Sequence, residues 1–280
     1  LMIRSYNKAV GFTLIELVTV IIILGIVLVG VSSFITFGTR IFVDSTSVEQ
    51  VLGESRFAIQ RMTRELRTAL PNSVRVNTDN SSYQCIEFVP TVTSTSYIQI
   101  PFESSSNTAT IFRDAPNTKI FGFDIQRAYV YPINADEVYI TNTQNSIAAS
   151  VSWVTGTNNS PTLSLTFNSP TRFKYSSPQK RMYLTTNPVT YCVSGTPLSI
   201  QRYSDYGFII ALPTPQNRSV RSVSVVAQSI INDISDASDR PFNLLPSTLR
   251  HSGIIQMNLR FQVLGQSMSY QHQVQVPNVP

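Results

Sequence analysis

The run from Phe12 to Thr39 limits what this chain can fold into more than any other part of it. A single acid, Glu16, interrupts it near the start, and the 23 residues Leu17–Thr39 carry no charge. At about 1.5 Å per residue, a helix of that length crosses the ~30 Å hydrocarbon core of a bilayer. An unpaired carboxylate costs ~2.5–3.5 kcal/mol or more within hydrocarbon, so Glu16 demands a partner that a simple anchor does not provide. Arg4 and Lys8 precede the run, and by the excess of positive charge on the cytoplasmic side they place the short leader inside and the bulk of the chain outside.

Gly11, Phe12, Thr13, Leu14, Ile15 and Glu16 stand in the order of a known processing signal. The stretch resembles the class III signal of type IV pilins and type II secretion pseudopilins. The resemblance implies that prepilin peptidase cuts between Gly11 and Phe12 at the cytoplasmic face and that Phe12 becomes N-methylated. The cut precedes the apolar segment, so the helix stays on the mature protein, unlike a secretory signal peptide. The family mechanism assigns Glu16 to assembly, where it neutralises the N-terminal amine of a neighbouring subunit. The implied partners are other minor and major pilins, met through the N-terminal helix, together with the peptidase and the inner-membrane assembly platform. The plain alternative is an ordinary signal anchor with an incidental acid. Gly25, Gly30, Ser32 and Ser33 weaken the upper half of the helix, where many pilins carry a proline that is absent here.

Helical spacing continues past the membrane. Val48, Leu52, Ser55, Ile59, Met62, Leu66 and Ala69 recur alternately by four and three, which makes a stripe for packing on a domain. Arg61 and Glu65 form an i,i+4 pair expected on the solvent side, and Pro71 is expected to end a helix running from about 13 to 70. Arg56, Arg61, Arg64 and Arg67 read first as cations suited to a helix C-terminus. Interleaved acids and the lack of an aromatic platform argue against nucleic acid as a partner. The segment Arg56–Ser73 resembles the junction of stalk and head in the MshO-type minor pilins of mannose-sensitive haemagglutinin (MSHA) pili. It is more distantly similar to J-type pseudopilins.

Beyond residue 72 the chain alternates in the manner of strands, with twelve candidates from Gln84–Val89 to Met268–Val276. One of these is Glu137–Thr141, and the last two form a hairpin through Leu264-Gly265-Gln266-Ser267. Turns are expected at Ser169-Pro170 and around Pro116-Asn117, among other sites. The expected fold is α+β: a long N-terminal helix carrying a large antiparallel β-rich, pilin-like head of two sub-sheets. The division is residues 1–11 (cleaved leader), 12–39 (membrane or filament-core helix), 40–71 (amphipathic stalk), 72–180 and 181–280 (two β-rich regions). Cys85 and Cys192 both lie in candidate strands; an oxidising periplasm favours a disulfide, the alternative being two buried thiols. If paired, they are expected to tie the first sheet to the second.

Catalytic signals are thin. His251 and His272 sit in no nucleophile or zinc spacing, and no phosphate loop occurs. Asp233, Asp236 and Asp239 lack the EF-hand alternation and its glycine, so no metal and no cofactor is expected. The function expected is therefore structural rather than enzymatic. It is that of a minor pilin or pseudopilin taking part in assembly of an MSHA-like pilus, at its initiating tip. Such a protein spans the inner membrane once with a periplasmic head, and is then incorporated in the pilus. The alternatives are a tip adhesin and a J-type pseudopilin of a secretion system.

Overall fold

A computed structural model describes residues 11, 13–113, 125–140, 146–156, 160–218, 222–246 and 252–276, with Trp153 by its backbone alone. The chain divides into two compact units, Leu1–Gln50 and Val51–Pro280. Helix α1, Leu14–Arg67, has 54 residues. Within the first unit its side chains are almost all exposed, and it is long and apolar enough to cross a membrane once. It continues unbroken through Gly25, Gly30, Ser32 and Ser33.

Within the second unit, Ser55, Ala58, Met62, Thr63 and Leu66 are the buried helical face. That face matches the stripe read from sequence, widened by Ala58 and Thr63. The helix stops three residues before the expected end. Thr68 and Ala69 tighten into i→i+3 bonds to Glu65 and Leu66, and Ala69 then pairs with Pro90. A backbone partner from the β region thus ends the helix before Pro71 does.

The β elements in chain order are β1 (Arg75–Val76), β2 (Gln84–Phe88), β3 (Thr91–Gln99), β4 (Ser106–Phe112), β5 (Arg127–Val130), β6 (Ala148–Thr155) and β7 (Thr162–Thr171). They continue with β8 (Arg181–Thr185), β9 (Val189–Ser194), β10 (Leu198–Ser204), β11 (Ser222–Ile230), β12 (Phe242–Leu245), β13 (Gly253–Val263) and β14 (Gln266–Val276). Two sheets result, as expected, and the chain passes from one to the other between β8 and β9, but the first region is not all one sheet. Strands β3 to β8 close into a barrel in the order β3-β4-β7-β6-β5-β8, while β1 and β2 join β9 to β14 in the other sheet. The barrel is an insertion between β2 and β9. Its first and last strands meet, Thr91 opposite Thr185, so the chain leaves close to where it enters.

Each sheet has its own core. Tyr97, Ile111, Leu163, Leu165, Phe173 and Leu184 are among those filling the barrel. The other core combines Ala58, Met62 and Leu66 of α1 with Ile86, Phe88, Tyr191, Leu259 and Phe261 of the second sheet. That sheet curls until β12 meets β2. Gln84 bonds both sides of the Phe242 backbone, its Nε2 donating to the carbonyl and its Oε1 accepting from the amide, each at 2.8 Å. One carboxamide thus replaces a rung of strand pairing.

Two local expectations fail for identifiable reasons. The strand expected at Glu137–Thr141 is instead α2, Ala135–Tyr139. Asn134 caps it by accepting from the Asp136 amide at 3.0 Å, and Asp136 and Glu137 suit its first turn. Ser169-Pro170 lies inside β7, opposite a register shift in β4 between Ser106 and Thr108, an irregularity where a proline is tolerated. The turn expected at Pro116-Asn117 lies outside the described residues.

Candidate functional site

Glu16 occupies the first turn of α1, where its amide donates to the Thr13 carbonyl at 3.1 Å and its own carbonyl accepts from the Thr19 hydroxyl at 2.9 Å. Its side chain is exposed and meets no partner among the described residues. Leu14, Ile15, Leu17 and Val18 around it are all exposed as well. Of the two residues flanking the expected cleavage site, Gly11 is described and Phe12 lies outside the described residues.

Cys85 and Cys192 form a disulfide with their Cα atoms 4.1 Å apart. They face each other across β2 and β9, so the bond lies within one sheet and does not tie two sheets together as expected. What it encloses is the barrel: every barrel strand falls between the two cysteines. Tyr203 covers the bond, with Tyr83 and Tyr206 packed beside it.

Two residues along β2 from Cys85, Glu87 is fully buried and gathers the charges that hold the neck of the barrel. Arg75 Nε donates to its Oε2 at 2.5 Å, and Arg218 donates from Nε to Oε1 at 2.7 Å and from Nη2 to Oε2 at 3.2 Å. Tyr206 adds a hydroxyl at 2.8 Å. Burial, and next the charge of Glu87, pushes the Tyr206 pKa well up, which keeps it a donor. The remaining Arg75 nitrogens are absorbed by the carbonyls of Ile209, Ile210 and Ala211, at 2.6–3.0 Å. The Arg75 guanidinium also lies 3.5 Å from the ring centre of Tyr139 in α2. Tyr139 in turn donates to the Ser73 carbonyl at 2.8 Å, so this network joins the sheet to the residues between β5 and β6. Nearby, Arg127 of the barrel stacks on Phe208 at 3.7 Å, and Tyr129, raised by burial to about 12, donates to the Val138 carbonyl.

This constellation escapes a reading of the sequence. Glu87 lies 12 residues from Arg75 and 131 from Arg218, distances with no local period. The usable signal was an acid in the middle of the apolar strand QCIEFV, which requires a buried partner. A similar correction applies to Glu65, expected on the solvent side. It accepts from Arg61 at 3.1 Å and also from Arg202 of β10 at 3.1 Å, and so fastens the helix to the sheet.

The aspartate cluster is occupied by its own loop. Asp233 accepts from Ser235 and Asp236 from Ser238, while Asp239 pairs with Arg260 at 2.6 Å. Hydrogen bonds from those serines hold the Asp233 and Asp236 carboxyls below their ordinary pKa. Among the described residues no group of three or more His, Cys, Asp or Glu converges to hold a metal. His251 lies outside the described residues, and His272 is half-buried in β14. No family model, curated protein or solved structure matches the chain.

Proposed function

We propose that this chain is a minor pilin-like subunit that joins an MSHA-like filament through its N-terminal helix, at the initiating end. Glu16 carries the proposal: an exposed acid in the first turn of an apolar helix, without a partner among the described residues. An α-amine created by cleavage after Gly11 on a neighbouring subunit is the matching charge, and pairing both in a lipid-like surround favours a single axial register. The disulfide fits a head folded in an oxidising compartment. Replacing Glu16 by Ala should sharply reduce filament number on electron micrographs while leaving leader cleavage intact on immunoblots. Normal filament number in that strain would sink the reading. If a deletion strain instead loses protein secretion and keeps its pili, the subunit belongs to a secretion pseudopilus.

The inserted barrel favours a second reading, that of a displayed binding module. It closes on itself with a separate core. The full chain in micelles on a glycan array separates the two, since an assembly subunit should ignore every sugar.

A further inference from the structure

Strand β14 runs for 11 residues along β13. Among the described residues nothing pairs with its other edge. Gln266–Val276 contains no charged residue and no proline, so it lacks the usual guards against strand addition. Beside it runs a groove of about 480 Å³ between β14 and the second half of α1, lined by Ile59, Gln60, Thr63, Arg64, Arg67 and His272, among others. Two polar groups of this lining are buried without a partner, the Thr63 hydroxyl and His272 Nε2. Thr63 is only 9% exposed. Its state is unusual for this helix, because Thr19, Thr36, Thr39 and Thr46 all bond back to a carbonyl one turn earlier. Arg64 and Arg67 are exposed and form no ion pair among the described residues. The one acid of this turn, Glu65, is committed to Arg61 and Arg202.

From these placements we infer that β14 accepts an added strand from a partner protein, one that carries carboxylates on the side chains turned toward the groove. Open backbone amides and carbonyls select an extended chain, since only a strand matches their spacing. Alternate side chains of that strand then lie over the groove, where two guanidiniums and an unused hydroxyl suit an acidic group. A second copy of β14 is the poorer occupant. Its alternate residues on the inward side, Met268, Tyr270 and His272, bring no negative charge to Arg64 and Arg67.

The test uses the full-length chain in detergent micelles and a fluorescent peptide of about eight residues, a typical strand length, alternating Glu with Thr and Val. Fluorescence anisotropy should show this peptide binding about tenfold or more tightly than its Gln counterpart, with the advantage fading at high salt. Methylating the amides that face the edge should abolish binding. The double variant Arg64→Ala, Arg67→Ala should lower the Glu peptide to the level of the Gln peptide while circular dichroism stays unchanged. Equal binding of the two peptides, no binding up to about 1 mM, or indifference to N-methylation would each overturn the inference. So would a disulfide-linked dimer formed through Gln271→Cys in micelles, which would give the edge to a second copy.

Discussion

The two β assemblies solve the problem of strand edges in opposite ways. The barrel spans one continuous stretch, Thr91–Thr185, and closes β8 on β3, so every strand in it has two neighbours. The sheet that packs on α1 is drawn from both sides of that stretch and, among the described residues, leaves one edge of β14 unpaired. The fastenings differ too. Apolar residues dominate the barrel core, whereas the sheet adds a buried carboxylate with two arginines, a disulfide and a carboxamide rung. A closed barrel needs only its own core, while a sheet interrupted by an insertion must be held where the chain leaves and returns. Specific polar fastenings therefore mark the neck.

The largest effect should come from Glu87. Its removal strands Arg218 and Arg75 without the acid they share, and breaking a buried pair from one side costs about 3–5 kcal/mol. Denaturant titration of Glu87→Ala should show the loss in the sheet, followed by hydrogen exchange in β2 and β9. Protection in β4 and β7 should hardly change. An equal loss of protection in both assemblies would mean that barrel and sheet unfold as one unit, and the contrast between them would fail.

The disulfide sharpens the same question. Its cysteines are 107 residues apart. In the chain-entropy account a loop of ~100 residues gives close to 4.7 kcal/mol. If the barrel stays folded when the sheet opens, its ends remain joined through Thr91 and Thr185. The loop then shrinks to roughly 15 residues, for which the same account gives about 3 kcal/mol. Comparing wild type with Cys85→Ala, Cys192→Ala by denaturation, with the transition followed in both assemblies, distinguishes the cases. A loss near the smaller value supports an independent barrel, and a loss near the larger one supports a single cooperative head.

Most of what is local was legible. Strands β8, β9, β13 and β14 lie within two residues of their expected bounds, because their alternation and turn residues act at short range. The stripe on α1 was legible for the same reason. The first half of β6 is not legible, because Ala148, Ala149 and Ser150 have little β-propensity and burial in the barrel decides their conformation; Val151, Trp153, Val154 and Thr155 do carry a strand signal. Strand order was not legible at all. The pairing of β2 with β9 spans the whole barrel, and nothing in either strand encodes that distance. The order Gly11 to Glu16 is a local pattern that a sequence displays directly, and the expectation built on it rests on that order alone. The partners of Glu87 and the second partner of Glu65 could not be read, because folding alone brings them together.

The smallest effect tests the open edge on its own. The β13–β14 hairpin turns through Leu264 and Gly265, with φ of 50° and 78°, and Val263 faces Gln266 across it. Two successive positive φ values in a two-residue loop favour Asn-Gly, and a leucine at the first position is strained there. Leu264 is also 55% exposed, so replacing it gives up little packing. Leu264→Asn should therefore stabilise the sheet by about 0.5–1 kcal/mol, read as a higher denaturation midpoint with an unchanged slope. The barrel shares no strand with this hairpin and should not respond. Slower amide exchange confined to β13 and β14 would show that the edge strand is the sheet's loosest part. No change there would mean that the hairpin is held by its core residues, Val274 and Phe261 among them, rather than by its turn.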